Sequence, residues 1–293
     1  MGKLSNRMTN DSGVLRKIIA IIGLAVVLVV TLVVGFTQLV DFRGVAGKQA
    51  KANTGKTGPS STARKPSKPV PKAASDGPGW SEIGRTVENR PIKMFKIGTG
   101  GKKVLFVAAT HGDEYGGEIA DRFIDYLIKN KDAIPPDTAV YIVPRVNPDG
   151  WEKEKRGNAH RVDINRNFPV RWAKNVDPKD DTGLAGCTAG PKPGSEPETQ
   201  AIMRLLKRGF TRVISIHSLG GVIDYDGDGH DLAIAMAKAS PAYLVDRTQY
   251  SGNSSGSFGQ YVPKAHNIPV VTIELDSNKL SHVLNAFLVA IKF

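Results

Sequence analysis

A histidine and an acid stand three residues apart, at His111 and Glu114, in this sequence of 293 residues. They follow an unbroken apolar run, residues 104–109, which is typical of an interior strand of a parallel or mixed sheet. Ligands of such sheets bind just beyond the carboxyl ends of the strands. An imidazole and a carboxylate at this spacing can both reach one zinc ion and leave positions for a distant ligand and a water. A loop histidine beside a surface acid fits this short pattern equally well.

Two further groups could complete such a site. His217 ends an apolar run at residues 212–216, and Glu274 lies inside another at residues 269–275. Two histidines and one carboxylate form an open zinc site, and a further carboxylate beside it can move a proton from water to a leaving amine. Glu274 is the candidate for this base because an acid in an apolar strand is costly without a partner or a chemical role. Considered alone, His217 could equally be a buried histidine with a structural role. Glu274 considered alone could be a buried acid paired with an arginine.

The pattern around these groups predicts an α/β fold. Residues 84–98 alternate around a turn at residues 88–91, as in a hairpin, and the helix from Ser195 is expected to begin with a capping box to Glu198. Strands that alternate with helices predict a mixed, mostly parallel twisted sheet with helices on both faces. The other predicted strands are residues 104–109, 139–143, 212–216 and 269–275, and the predicted helices are residues 119–127, 195–206, 232–238 and 284–291.

The N-terminal region predicts a membrane anchor. Residues 18–40 are apolar, broken only by small or weakly polar residues, and exceed the roughly 20 residues that a helix needs to cross a bilayer. Because residues 1–17 carry basic residues, we expect them in the cytoplasm and the folded part outside, as in a single-pass protein of the cell membrane. Cleavage after Ala46 and a buried core helix are the alternatives.

The net charge is concentrated in the same region. Residues 1–79 contain 12 Lys and Arg against 3 Asp and Glu, so residues 80–293 contain 28 against 25 and are nearly balanced. We therefore expect no binding of nucleic acid by the domain at residues 80–293. Residues 41–79 are rich in Lys, Pro, Ser and Gly and predict a disordered basic linker, which either binds an anionic membrane or wall polymer or is merely solvated.

Two other features limit the possible metal sites. Cys187 is the only cysteine, which excludes an internal disulfide and a cysteine-based structural zinc site. Asp224, Asp226 and Asp228 are spaced like the first half of a calcium loop, but Ala235 stands where the bidentate Glu is needed. These aspartates could instead form a polar rim of a substrate pocket.

Eight short motifs resemble those of a known enzyme family. The motifs are His111-Gly-Asp-Glu114, Asn147-Pro-Asp-Gly150, Arg156-x-Asn158-Ala159, Val162-Asp-Ile-Asn165-Arg166-Asn167-Phe168, Ser195-Glu-Pro-Glu-Thr199, His217-Ser218, Ser255-Gly-Ser257 and Thr272-Ile-Glu274-Leu275. In this order they resemble the zinc metallocarboxypeptidases of the carboxypeptidase A type. The resemblance covers nearly all of the domain.

The resemblance implies a role for each catalytic position. His111, Glu114 and His217 match the ligands of one zinc ion per domain, and Glu274 matches the general base and acid. Arg156 matches the arginine that stabilises the developing oxyanion, a task that needs a fixed cation where negative charge appears.

The resemblance also implies how the substrate is held. Asn165 and Arg166 match the pair that binds the terminal carboxylate of the substrate, for which a guanidinium is well suited. Two positions depart from the family. The pocket tyrosine of the family aligns near Gly252 here; Tyr250 is close enough to substitute for it, and Tyr261 is less close. Gly259 stands where members that select a C-terminal Lys or Arg carry an aspartate, so we expect no selectivity of that kind.

The sequences of residues 165–169 and 195–199 most resemble those of the bacterial branch that includes murein peptide amidases and γ-D-glutamyl-diamino-acid peptidases. That branch implies hydrolysis of an amide bond next to a carboxylate-bearing C-terminal residue, in cell-wall peptides. Three alternatives remain open at this point: a general metallocarboxypeptidase on ordinary peptides, an N-acyl amino acid deacylase, and an inactive module that binds the wall.

Overall fold

The computed structural model describes residues 79–174, 186–218, 220–246 and 254–293. The predicted cytoplasmic segment and anchor, all of the predicted linker before Gly79, and Tyr250 lie outside the described residues. Within the described ranges, none of the helices has both the length and the apolar character needed to span a bilayer.

Eight strands of the described chain form one sheet, in the order β1-β2-β4-β3-β5-β8-β6-β7. The strands are β1 (Gly79–Arg85), β2 (Pro91–Gly98), β3 (Lys102–Ala108), β4 (Thr138–Val143), β5 (Arg212–Ser218), β6 (Val222–Asp226), β7 (Leu244–Val245) and β8 (Val270–Leu275). The central strands β4, β3, β5 and β8 are parallel, and β2 and β6 join them antiparallel. The mixed, mostly parallel sheet is therefore confirmed, as is the hairpin of β1 and β2.

Helices cover both faces of the sheet, as predicted. The α-helices of the described chain are α1 (Gly116–Lys129), α2 (Pro148–Glu152), α3 (Pro197–Leu206), α4 (His230–Ala239), α5 (Phe258–His266) and α6 (Leu280–Lys292). Helices α1, α4 and α6 pack on one face, whereas α3 and α5 pack on the other. In α1 the predicted apolar stripe of Ile119, Phe123 and Leu127 is fully buried. Phe123 packs edge-on against Phe106 of β3, with 5.2 Å between ring centroids.

The start of α3 differs from the prediction. Glu196 is the N-cap residue, and Pro197 opens the helix, where its missing N–H costs nothing. Ser195 donates its hydroxyl to Glu196 instead of capping the helix. Glu198 does not reach back to Ser195, because its carboxylate accepts from the backbone N–H of Val87 and the side-chain amide of Asn158. The predicted capping box is therefore wrong, although the helix ends at the predicted residue.

The parallel strands give the sheet two chemically different edges. The strands β4, β3, β5 and β8 end at one edge, which we call the carboxyl edge, and begin at the opposite one, the amino edge. His111 follows the end of β3 by three residues. His217 of β5 pairs with Glu274 of β8 close to the ends of both strands. All the predicted catalytic groups on these strands thus reach the carboxyl edge.

Candidate active site

Three side chains converge at the carboxyl edge. Glu114 Oε1 lies 2.6 Å from Nδ1 of His111, and Glu114 Oε2 lies 3.1 Å from Nδ1 of His217. The two imidazole rings are 4.9 Å apart between centroids. One ligand atom from each residue lies within 4.8 Å of the others. In the described part of the chain, no other group of His, Cys, Asp and Glu side chains has this geometry.

This donor set fits a zinc ion. Two imidazole nitrogens and one carboxylate oxygen are the protein ligands of many catalytic zinc sites, which leave the fourth position open. Both nitrogens that face Glu114 are Nδ1 atoms, so the two rings direct the same nitrogen toward the place where a metal ion would bind. Both histidines are buried and Glu114 is nearly so, which excludes bulk water from three of the ligand positions.

A close backbone contact shapes the turn that carries His111. Gly112 donates its backbone N–H to the carbonyl of Lys155 over 3.1 Å. A Cβ atom at Gly112 would lie 2.0 Å from the carbonyl carbon of Gly150, so no larger residue fits. Asn147 fixes Gly150 in this contact, because the side-chain oxygen of Asn147 accepts a hydrogen bond from the backbone N–H of Gly150. These two glycines explain why the His-Gly-Asp-Glu and Asn-Pro-Asp-Gly motifs occur together.

Asp163 is a buried residue of the site to which sequence reasoning gave no role. Its Oδ1 lies 3.1 Å from Nε2 of His111, and its Oδ2 accepts from Nε of Arg156 at 2.9 Å. A carboxylate on the far nitrogen of a metal-binding imidazole fixes the ring orientation and raises its basicity. The available signal was an acid between two apolar residues, Val162 and Ile164, inside a recognised motif.

The charges at the site favour a cation. Burial lowers the pKa of His111, but the carboxylates of Asp163 and Glu114 outweigh burial and raise that pKa to about 9. Burial raises the pKa of Glu114, yet His111 and His217 hold it well below its usual range. The pKa of Asp163 is depressed in the same way, against burial, by His111 and Arg156. Both acids therefore stay ionised, and a bound divalent cation would replace the proton that they stabilise on His111.

Glu274 lies beside the three ligands and has the opposite electrostatics. Its side chain is buried, and it stands opposite His217 in the pairing of β5 with β8. Burial raises its pKa to about 7; the interaction with His217 opposes this shift, and the carboxylate of Glu114 adds to it. A carboxyl group with such a pKa exchanges its proton near neutral pH.

The predicted carboxylate-binding pair lies in a turn between two packed segments. Asn165 and Arg166 belong to a 3₁₀ turn at Ile164–Arg166, and the backbone N–H of Asn165 donates to Asp163. The side-chain oxygen of Asn165 accepts from the backbone N–H of Phe258, at the start of α5. Gly256 has a φ of +66°, and a Cβ atom there would lie 2.1 Å from the carbonyl oxygen of Arg166. The Ser-Gly-Ser motif thus supports the turn that carries this pair.

An acid lies beside Gly259 although the residue itself carries none. A Cβ atom at Gly259 would lie 2.5 Å from Oδ2 of Asp226. In the pairing of β6 with β8, Asp224 stands opposite Thr272, on the side of the sheet that Glu274 also faces. Asp226 follows two residues later on the same side. Since Asp224 and Asp226 are strand residues, the calcium-loop alternative is wrong.

Comparison with known proteins decides the family. The sequence profile described as zinc carboxypeptidase matches residues 78–286, which is more than half of the chain. The chain belongs to the zinc carboxypeptidase family. It is therefore a zinc metallopeptidase, and His111, Glu114 and His217 form the site that can hold the metal.

Individual relatives within and near this family agree in fold. The chain is 31% identical over 209 residues to murein peptide amidase A of Escherichia coli K12, covering 67% of this chain and 81% of the relative. The crystal structure of the murein-tripeptide amidase from Escherichia coli O157 aligns with a TM-score of 0.55 at 27% identity, over 76% of this chain and 94% of that one. A carboxypeptidase A from Helicoverpa armigera, 19% identical, aligns with a TM-score of 0.62 over 74% of this chain and 68% of its own.

Proposed function

We propose that this zinc carboxypeptidase hydrolyses murein peptides, cutting the amide bond next to a residue with a free carboxylate. The observation that carries the proposal is a buried Glu274 beside the three convergent ligands, in a chain similar over most of its domain to murein peptide amidases. The alternatives of a general carboxypeptidase and a deacylase use the same chemistry and differ in substrate.

The roles of the catalytic residues follow from their environments. Zinc, when bound, polarises water and the substrate carbonyl. Glu274 takes a proton from the attacking water and gives it to the leaving nitrogen, and a pKa near neutral suits transfer in both directions. Arg156 stabilises the negative charge that develops on the carbonyl oxygen. Asp163 positions both Arg156 and His111 for these tasks.

Substrate binding is assigned to the turn and pocket next to these residues. Asn165 and Arg166 hold the carboxylate of the residue that is released, and Tyr250 is proposed as the pocket tyrosine. Gly259 leaves room for Asp226, whose carboxylate gives the pocket negative charge. A diamino acid of a wall peptide carries a side-chain ammonium group that this charge would attract. We therefore propose that the pocket prefers a released residue with a side-chain ammonium group, a preference that Gly259 alone does not suggest.

We further propose that the domain acts outside the cytoplasm, held to the cell membrane by residues 18–40. The apolar run, the basic residues before it and the linker composition support this location. The basic linker would also bring the domain close to anionic wall polymer.

A product assay with the full-length, zinc-loaded protein tests the function. We would supply L-Ala-γ-D-Glu-diaminopimelate, ordinary L-peptides and a simple N-acyl amino acid, and identify products by mass. Release of diaminopimelate from the wall tripeptide alone is expected. Trimming of ordinary peptides would make the protein a general carboxypeptidase, and cleavage of the N-acyl amino acid alone would make it a deacylase.

The matched control is Glu274→Gln, which keeps the side-chain size and removes the base. It is expected to abolish turnover while zinc content stays at one ion per chain. Retained turnover would contradict the assignment of Glu274. Binding of wall peptide without turnover by the unmodified, zinc-loaded protein would instead indicate a binding module.

A further inference from the structure

The amino edge of the sheet carries a patch of positive charge. Lys103 donates its ammonium group to the carbonyl of Arg208, which joins the start of β3 to the loop before β5. The exposed basic residues of this patch are Lys102, Lys129, Lys131, Lys207, Arg208 and Lys292. The exposed acids among them or one helical turn away are Asp125, Asp132 and Asp137, and Asp137 is paired with Lys102 at 3.0 Å. Asp228 and Asp231 lie farther along, beyond the end of β6. We call the six basic residues the basic patch.

An apolar groove opens next to the basic patch. It has a volume of about 430 Å³ and is lined by Phe95, Ile97, Ile128, Ile134, Pro135 and Pro136, with Lys131 at its rim. Ile128 is 45% exposed, which is unusual for a large apolar side chain on a helix of this domain. Charged residues beside an exposed apolar surface are the arrangement by which proteins bind the interfacial region of a bilayer.

The described chain also begins at this groove. Gly79, the first described residue, lines it, and its strand runs from there toward the carboxyl edge. The apolar run at residues 18–40 ends 39 residues before Gly79 in the sequence.

We infer that the amino edge docks on an anionic phospholipid bilayer, with the basic patch on the lipid phosphates and Ile128 and the groove at the headgroup boundary. This inference rests on the membrane location given under the proposed function. Lysines within about a Debye length of an anionic leaflet are attracted to it. Apolar side chains that become buried at the headgroup boundary increase the affinity for the membrane further. A polyanion such as a wall polymer or nucleic acid would engage the lysines but would leave the groove uncovered. A second copy of the chain would bring two positive patches together.

This docking would direct the catalytic site away from the membrane. The amino and carboxyl edges are separated by the length of β3, which has seven residues and is therefore about 20 Å long. With the amino edge on lipid, His111 and Glu274 would open toward the space where wall peptides are found.

A fluorescent probe beside the groove tests the inference. We would label Asn130→Cys, in a Cys187→Ser background of the full-length protein, with an environment-sensitive dye. The protein would be combined with vesicles of phosphatidylcholine alone or of phosphatidylcholine with phosphatidylglycerol. A blue shift of the emission is expected only in the anionic vesicles and should be reversed by high salt.

Charge reversal separates docking by this face from adsorption by the linker. The double variant Lys129→Glu with Lys131→Glu is expected to lose the shift, and the additional variant Ile128→Ser to reduce it. The matched control, Lys93→Glu with Lys192→Glu, changes the net charge equally at exposed sites outside the patch and should keep the shift. All variants should hydrolyse a soluble wall tripeptide as well as the labelled Cys187→Ser background does, because the added substitutions lie outside the catalytic site.

Three results would overturn the inference. The first is an equal emission shift in neutral vesicles. The second is blue-shifted emission before lipid is added, which would mean that other residues of the protein fill the groove, and the third is a shift produced by anionic wall polymer without lipid. Failure of tripeptide hydrolysis by every form, with the lipid-dependent shift intact, would instead refute the proposed function and leave the docking surface standing.

Discussion

At the scale of single residues, the site separates two kinds of carboxylate. Glu114 and Asp163 are held ionised by the imidazole and guanidinium groups that they contact, whereas burial dominates at Glu274 and favours its neutral form. The first kind builds a cation site, and the second exchanges a proton. One small volume at the carboxyl edge thus contains both functions because each acid has different nearest neighbours.

The raised pKa of Glu274 predicts how the zinc-free protein responds to pH. The pKa is about 7 in the folded state against an ordinary value of 4.5, so the folded state holds the proton more tightly than the unfolded one. Protonation of Glu274 therefore stabilises the folded state. This contribution is fully present below pH 4.5, the ordinary pKa of the group, and is lost as pH rises through about 7. Zinc-free Glu274→Gln should therefore be more stable than the unmodified protein at mildly alkaline pH, by up to about 3 kcal/mol.

Urea unfolding in the presence of a chelator measures this difference. The stability gain of Glu274→Gln should shrink as pH falls toward the ordinary pKa of a glutamate. A gain that is the same at acid and alkaline pH would show that burial of the charge is not its cause.

Asp163→Asn should weaken zinc binding with little change in side-chain size. The substitution removes the negative charge from the far nitrogen of His111, and such outer contacts typically account for about 10- to 100-fold in metal affinity or activity. Competition with a fluorescent chelator gives the affinity.

Asp149→Asn is the control for this substitution. Asp149 is also fully buried and bound to an arginine, but it ties the hairpin to α2 through Thr86 and Arg90 and does not touch a ligand. It should lower stability and leave zinc affinity unchanged. Equal losses of affinity in both variants would mean that Asp163 acts only through general folding.

At the scale of elements, the turn proposed to hold the substrate carboxylate depends on segments that lie far apart in the sequence. The turn at Ile164–Arg166 contacts the start of α5 through Asn165, and Gly256 lies directly against Arg166. The backbone N–H of Phe168 donates to the carbonyl of Gly256, which closes the contact. The backbone of this turn, which carries Arg166, is thus held by a segment about ninety residues later in the sequence.

Gly256→Ala should therefore raise KM more than it lowers kcat. A Cβ atom cannot fit 2.1 Å from the Arg166 carbonyl, so the turn must shift. A displacement on the order of 1 Å in such a contact can reduce kcat/KM about 100-fold. Steady-state kinetics on the wall tripeptide gives both constants.

Gly209→Ala distinguishes this displacement from backbone strain. Gly209 also has a positive φ, of +70°, but a Cβ atom there would meet nothing within 4 Å. Its substitution should cost about 1 kcal/mol of stability and leave KM unchanged. A comparable rise of KM in both variants would show that the contact with Arg166 does not matter.

At the scale of the whole molecule, local pattern predicted much of the fold and of the metal site. The apolar runs before His111 and around Glu274 are long enough to identify buried strands, and parallel strands bring their ends together. The predicted helix α1 was identified because its stripe has helical spacing. These features depend on residues that are neighbours in sequence, and the family resemblance then ordered them.

The features that sequence did not predict depend on contacts between distant segments. Glu198 had the right spacing for a capping box, but a hairpin more than a hundred residues earlier offers its backbone N–H instead. The carboxylate beside Gly259 comes from Asp226 on another strand. The role of Asp163 depends on its contact with Nε2 of His111, which lies 52 residues earlier in the sequence. None of these partners is visible from spacing alone.

The strand order also fixes when the chain first becomes able to cut a bond. His217 meets Glu114 across 103 residues, and Glu274, on β8, comes later still. During synthesis the early strands can pair and bury their apolar surface while the last metal ligand and the base have not yet left the ribosome. A partly made chain therefore lacks part of its metal site and its candidate base, and we expect it to have no hydrolytic activity until β8 has been synthesised.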